Sequence, residues 1–77
     1  MILGAVKTAP EHAAYWDWQE QQPEGWETIQ AGKVTDGLAN VRYLPTVDNA
    51  SYRIVWISEA NAVLSIEPHS SSSQRQK

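Results

Sequence analysis

The chain has no cysteine, which excludes disulfides and thiolate metal sites. It has only two histidines, His12 and His69. Nucleophilic catalysis needs an activated Ser, Cys or Thr beside a base, and neither histidine stands in such a context. A metal site fails on geometry: at helical spacing, Glu11 and Glu20 point about 100° and about 80° away from His12. The four glycines, Gly4, Gly25, Gly32 and Gly37, are scattered and form no phosphate loop. No run approaches the ~20 apolar residues of a membrane-spanning helix. Residues Met1 to Lys7 lack the basic start and the length of a signal peptide, so the expected location is cytoplasmic. Paired carboxylates could work as acid and base, but a chain of 77 residues offers little cleft to hold a substrate away from water. The expectation is a protein that is not an enzyme and holds no metal or cofactor.

What is present is tryptophan. Four occur in 77 residues, and two lie in Tyr15-Trp16-Asp17-Trp18. Indoles are large and amphipathic and are enriched at binding hot spots. Trp16, Trp18 and Trp26 share their segment with Glu11, Asp17, Glu20, Glu24 and Glu27, and residues 8–32 hold no Lys or Arg. The net charge of −3 is therefore regional: this segment carries −5, and the remainder is slightly basic. A local negative field favours a basic partner and disfavours nucleic acid.

A domain this small buries only about 60% of its unfolded surface. With no disulfide available, support must come from tight packing or from association. Residues 1–68 read as one α+β domain, and the polar run from His69 to Lys77 reads as a disordered tail. Leu3 lies in a short first strand, residues 2–7. Thr8-Ala9-Pro10-Glu11 fits a helix-capping box, with Pro10 in the first turn. The alanines and glutamines that follow predict a helix to about Gln22, where Pro23 stops it. Strict alternation through Tyr15-Trp16-Asp17-Trp18-Gln19 argues instead for a strand, with both indoles on one face; the cap and the composition place the expectation on helix. Strands follow at about 26–34, 38–44, 52–58 and 62–67. Asp36-Gly37 is the best hairpin signal, and Glu59-Ala60-Asn61 marks another turn. The expected architecture is a four- or five-stranded antiparallel meander with one helix laid across it, in the order β-α-β-β-β-β.

On that helix the two indoles fall about 160° apart, so both cannot be equally buried: one is expected to be exposed or to cover the edge of the core. The candidate partner-binding residues are Glu11, Tyr15, Trp16, Asp17, Trp18, Glu20, Glu24, Trp26 and Glu27. The indoles and Tyr15 would anchor, and the acids would steer the chain to a basic surface on a larger protein. That compact, acidic, cysteine-free character resembles phage or mobile-element inhibitors, including anti-CRISPR proteins and DNA mimics, in composition alone. In strand 52–58, Val55 and Ile57 share a face with Arg53, where a one-sided sheet should be polar. Arg53, Val55 and Ile57 are therefore a candidate homodimer interface of a structural or accessory subunit. A third reading stacks single-stranded bases on Tyr43, Tyr52 and Trp56 beside Arg42 and Arg53. The acidic balance opposes it, and Tyr52 and Trp56 alternate away from Arg53.

Pro23-Glu24-Gly25-Trp26, with tryptophans just upstream, resembles the Pro-x-Gly-Trp segment of MbtH-like proteins. That resemblance implies a small activator of adenylation domains. The family's downstream Trp-Thr-Asp-x-Arg-Pro segment has no counterpart after Trp26.

Overall fold

The structure is a computed structural model that describes residues 2–46 and 49–69. It contains six strands and, among the described residues, no helix. They are β1 (Leu3–Thr8), β2 (Ala13–Gln22), β3 (Gly25–Lys33), β4 (Leu38–Tyr43), β5 (Tyr52–Ser58) and β6 (Val63–His69). Every pairing is antiparallel. Four strands form one sheet in the order β3-β2-β5-β6, and β1 pairs with β4 in a second.

The expected helix over Thr8 to Gln22 is overturned. Thr8 ends β1, and Pro10 to Ala13 make a turn closed by the Ala13 N–H on the Pro10 carbonyl at 3.2 Å. His12 sits at the left-handed position of this turn, φ 75°. The segment Ala13–Gln22 is then the longest strand. The reason is energetic. A strand puts Trp16, Trp18 and Glu20 on one face, and all three are buried; a helix would expose one indole. Burying an indole removes about 150–250 Å² from water. At ~25 cal/mol per Å², that is on the order of 4–6 kcal/mol as an upper bound. Helix propensities differ by only ~0.7 kcal/mol per residue or less. The period-2 alternation therefore prevails over the alanines and glutamines.

The meander is also corrected. β2–β3 and β5–β6 are hairpins, but β2 also pairs with β5 and β1 with β4. Asp36-Gly37 makes the expected tight turn. Its two residues have φ of 54° and 75°, and Thr35 and Leu38 exchange both main-chain hydrogen bonds at 2.9 Å. Beyond that bridge β3 and β4 diverge into different sheets. The Glu59-Ala60-Asn61 turn is as expected, with Asn61 at φ 69° and the Ser58 N–H donating to the Ala62 carbonyl at 2.8 Å.

The two-stranded sheet lies over the inner face of the larger one. Ala39, Val41 and Tyr43 from β4 meet Trp16 and Trp18 from β2 and Tyr52, Ile54 and Trp56 from β5. Leu3 and Ala5 pack on the margin. Tyr43, Tyr52 and Trp56, the candidate base-stacking residues, lie in this core with their rings out of reach of bases. His69 is the last residue of β6 and belongs to the sheet. The expected disordered tail beyond it lies outside the described residues.

Candidate partner-binding surface

The inner face of β2 ends on a buried carboxylate. Trp16, Trp18 and Glu20 occupy alternate positions, so the same pleat that buries two indoles carries Glu20 inside with them. An ionised carboxylate is sustained in such a place only by hydrogen bonds. Glu20 Oε2 accepts from the Tyr52 hydroxyl at 2.9 Å and the Thr46 N–H at 3.2 Å. Its Oε1 accepts from Gln22 Nε2 at 2.6 Å and from the Thr46 hydroxyl. Desolvation pushes the Glu20 carboxyl up, but the Thr46, Tyr52 and Gln22 bonds outweigh it and hold the group below its ordinary value. The same burial, together with the Glu20 bond and charge, drives the Tyr52 hydroxyl far above the usual tyrosine range. Burial and the charge of Glu20 also raise Tyr43.

Around this carboxylate stands an aromatic cluster. The Trp18 ring lies 5.1 Å from Tyr43, 5.7 Å from Tyr52 and 4.9 Å from His69, and Tyr43 lies 4.7 Å from Tyr52. Burial depresses His69, and Lys7 adds to the effect. Every Glu20 oxygen is engaged and the side chain is closed to solvent. The network therefore acts as a clasp. It ties Thr46, in the connection after β4, to β2 and β5.

This arrangement corrects part of the expected partner surface. Trp16, Trp18 and Glu20 lie inside and cannot touch a partner. Trp16 Nε1 is spent on the Lys33 carbonyl at 3.1 Å. Glu11, in the β1–β2 turn, is separated from the β2–β3 turn by the ten residues of β2, roughly 33 Å of extended chain. The five acids are therefore not one patch. Tyr15 and Asp17 alternate to the outer face of the larger sheet, half-buried. Glu24 and Glu27 are exposed, and Trp26 is the only one of the four indoles left open to water, at 37%.

Trp26 stands at the tip of the β2–β3 hairpin, whose two-residue turn is Pro23-Glu24. Pro23 presets the first turn position, and Gly25, at φ 142°, absorbs the bend that follows. On the outer face the Arg53 guanidinium lies 4.3 Å from the Trp26 ring centroid. Arg53 Nε also donates to Gln19 Oε1 at 2.7 Å, and Gln19 Nε2 donates to the Thr28 hydroxyl at 3.2 Å. This row orients the indole from beneath. Gln22, Glu24, Gly25, Trp26 and Glu27 line a shallow depression at the tip.

Arg53, Val55 and Ile57 do share the outer face, as the alternation predicted, beside Gln19, Asp17 and Tyr15. Arg53 is committed to Trp26 and Gln19, and Val55 is 5% exposed between Asp17 and Ile66. On the larger sheet the exposed aliphatics lie one strand further out, at Val63, Leu64 and Ile66 of β6, and others are exposed at Ile2, Val6 and Leu44.

Sequence reasoning missed Thr46, Tyr52 and Gln22 as partners of Glu20, and it missed the Arg53–Trp26 stack. The first had a signal, since the i, i+2, i+4 spacing of Trp16, Trp18 and Glu20 aims a carboxylate into a core. The second had none, because Arg53 of β5 and Trp26 of β3 meet only across β2, through the β2–β3 and β2–β5 registers. Among the described residues no group of three or more His, Cys, Asp or Glu could hold a metal ion, and no helix is long and apolar enough to cross a membrane.

These strands and surfaces define a small all-antiparallel β domain with a buried carboxylate clasp and one open indole. Compared with known proteins, the chain matches no family model, no curated protein and no solved structure. The short resemblance to MbtH-like proteins at Pro23 to Trp26 thus stands without a family match.

Proposed function

We propose that the chain is a non-enzymatic protein-binding module, an acidic inhibitor or adaptor of the cytoplasm. It engages a basic surface of a larger protein through the β2–β3 hairpin tip. The observation that carries this reading is the exposed Trp26 at a hairpin tip that also bears the exposed carboxylates Glu24 and Glu27. A two-residue turn between long strands is a stiff projection, so little entropy is lost when it docks. Trp26 supplies a large rigid contact already held by Arg53, while Glu24 and Glu27 steer the approach. Asp17 and Tyr15 flank the same outer face further along β2. Basic surfaces of this kind are common on nucleic-acid-handling proteins.

The test is affinity capture with the full chain, followed by association kinetics on the captured protein at several salt concentrations. Glu24→Lys with Glu27→Lys should slow association and flatten its salt dependence, and Trp26→Ala should raise the dissociation constant at least ~tenfold. A partner whose binding ignores all three changes, with the variants folded, refutes the hairpin-tip reading.

A further inference from the structure

We infer that the cleft between β3 and β4 binds a small aliphatic carboxylate of the medium-chain fatty acid type, with its head group on Arg42 and Gln30 and its tail on Ile29, Leu44 and Ile2. Beyond the Thr35–Leu38 bridge the two strands part into different sheets. Toward the Tyr43 end of β4 they leave a depression of about 380 Å³. That lies within the ~300–1,000 Å³ of small-molecule sites, which combine apolar walls with a few placed polar groups.

A bulge shapes the β3 wall. Trp18 pairs with Gln30 and Gln19 with Thr28, so Ile29 is the extra residue. Adjacent side chains of a regular strand take opposite faces. The bulge re-aims one of them, and Ile29 and Gln30 both line the cleft. Gln30 also spans it, since its Oε1 accepts from the Arg42 N–H of β4 at 2.7 Å. On the other wall Ile2 and Leu44 flank the Leu3–Tyr43 pair and are 66% and 57% exposed. This is aliphatic surface that a ligand tail removes from water.

The polar groups left over decide the head group. A main-chain N–H can only donate, so the Arg42 N–H fixes which end of the Gln30 amide is oxygen, and Nε2 remains as a donor. The Arg42 guanidinium also donates only, and among the described residues no carboxylate pairs with it. Thr46 is already spent: its N–H and hydroxyl donate to Glu20, and its hydroxyl accepts from Gln22 Nε2. Burial and the charge of Glu20 raise Tyr43, so that hydroxyl keeps its proton. The lining therefore offers donors and one positive charge, and it holds no carboxylate. A head group that only accepts and carries negative charge complements it, and a guanidinium grips a carboxylate through two parallel N–H bonds. The charge of Glu20 behind Thr46 repels a second anion, which sets the head group at the Arg42 rim.

The cleft is shallow and open on one side, so the expected dissociation constant is on the order of 0.1 mM. Trp26 stacks on Arg53 at the outer face of the larger sheet, whereas the cleft opens between the two sheets. This inference therefore does not depend on the function proposed above.

The test is titration of the full chain with sodium decanoate, read by amide chemical shifts in nuclear magnetic resonance. Saturable shifts should concentrate on Ile29, Gln30, Arg42 and Leu44, and should include the Gln30 side-chain amide. Decanol keeps the tail but lacks the charge, and should bind at least ~fivefold more weakly. Arg42→Gln should weaken decanoate at least ~fivefold and leave decanol unchanged. Leu44→Asp should weaken both, through lost apolar contact and, for decanoate, repulsion. Arg42 and Leu44 are exposed, and near-ultraviolet dichroism of the buried tryptophans checks that both variants fold. Trp26→Ala should leave decanoate binding unchanged, so this inference and the hairpin-tip reading fail separately. No saturable shift at the cleft up to about 5 mM decanoate overturns the proposal. So does decanol binding as tightly as decanoate, or a folded Arg42→Gln chain that binds decanoate as the wild type does. Binding that appears only after Asp48→Asn also overturns it, because the chain's own carboxylate then holds Arg42.

Discussion

Gly32 of β3 faces Trp16 of β2 directly across the strand pair, and the indole fills the space a side chain would need. A Cβ built on Gly32 would stand 2.6 Å from Trp16 Cζ2 and 3.0 Å from Cε2. The ring is also anchored, since its Nε1 donates to the Lys33 carbonyl. The glycine and the tryptophan are therefore one packing unit, in which an aromatic covers a glycine on the opposing strand.

Gly32→Ala should destabilise the fold by about 1–3 kcal/mol, the usual range for forcing extra volume into a packed core. For a domain this size that lowers the melting temperature by roughly 5–20 °C. Gly4→Ala is the control: its Cβ would meet only the Val41 carbonyl, at 3.7 Å, so thermal denaturation should show little change.

The Glu20 clasp predicts a second effect. Glu20→Gln keeps the shape but sets an amide group against hydroxyl and N–H donors already aimed at the site. The expected loss is about 2–4 kcal/mol, because buried donors lose a charged acceptor. Thr46→Val should cost less, about 1–2 kcal/mol, since its N–H bond to Oε2 survives. Urea denaturation at neutral pH measures both. Equal stability of wild type and Glu20→Gln would remove the clasp from the account of this fold.

Stability should fall with acid in two steps. His69 is held below its ordinary value of 6.5 by burial and by Lys7. The unfolded chain therefore takes up that proton first, and stability declines as pH drops below about 6.5. Glu20 is held below 4.5 by its hydrogen bonds, against the effect of burial. Its contribution is complete above 4.5 and is lost as pH falls through the lower value in the folded chain. Denaturation midpoints measured from about pH 8 to about pH 3, a range that brackets the ordinary values of both groups, should show both declines. His69→Gln should abolish the upper decline and Glu20→Gln the lower.

Tryptophan fluorescence should divide unequally. Trp16, Trp18 and Trp56 are buried, whereas Trp26 is open. Iodide should quench one component, and Trp26→Phe should eliminate the quenchable fraction. Arg53→Met should increase quenching of Trp26 by uncovering the stacked ring, at a stability cost of about 1 kcal/mol or less. A quenchable fraction that survives Trp26→Phe would mean that a second indole reaches solvent.

Much of the strand content was legible because short-range signals agreed with one another. Asp36-Gly37 read as a tight turn because glycine and aspartate tolerate positive φ, and the turn forms there. Tyr52 to Ser58 read as a strand from its alternation, with Tyr52, Ile54 and Trp56 on one face and Val55 and Ile57 on the other, and β5 has those bounds. The segment Thr8–Gln22 misled because its local signals conflict. A plausible cap and good helix formers stand against a period-2 run of indoles, and the local terms are the weaker ones. The candidate surface divided along the same line: Glu24, Trp26 and Glu27 are exposed around a turn that Pro23 and Gly25 announce, whereas Trp16, Trp18 and Glu20 went inside with the strand.

By itself the sequence determined the turns at Asp36-Gly37 and Glu59 to Asn61, which residues of β5 share a face, and that no thiol chemistry is available. Those properties follow from backbone sterics, from the alternation of the pleat and from composition, all of which act within a few residues. Only the tertiary structure decided that β2 is a strand, that it pairs with β5 as well as β3, and that Glu20 meets Tyr52 and Thr46. Those outcomes depend on burying large aromatic surfaces between distant strands and on hydrogen bonds that join Glu20 to residues 26 and 32 positions away. No local preference encodes a contact at that distance.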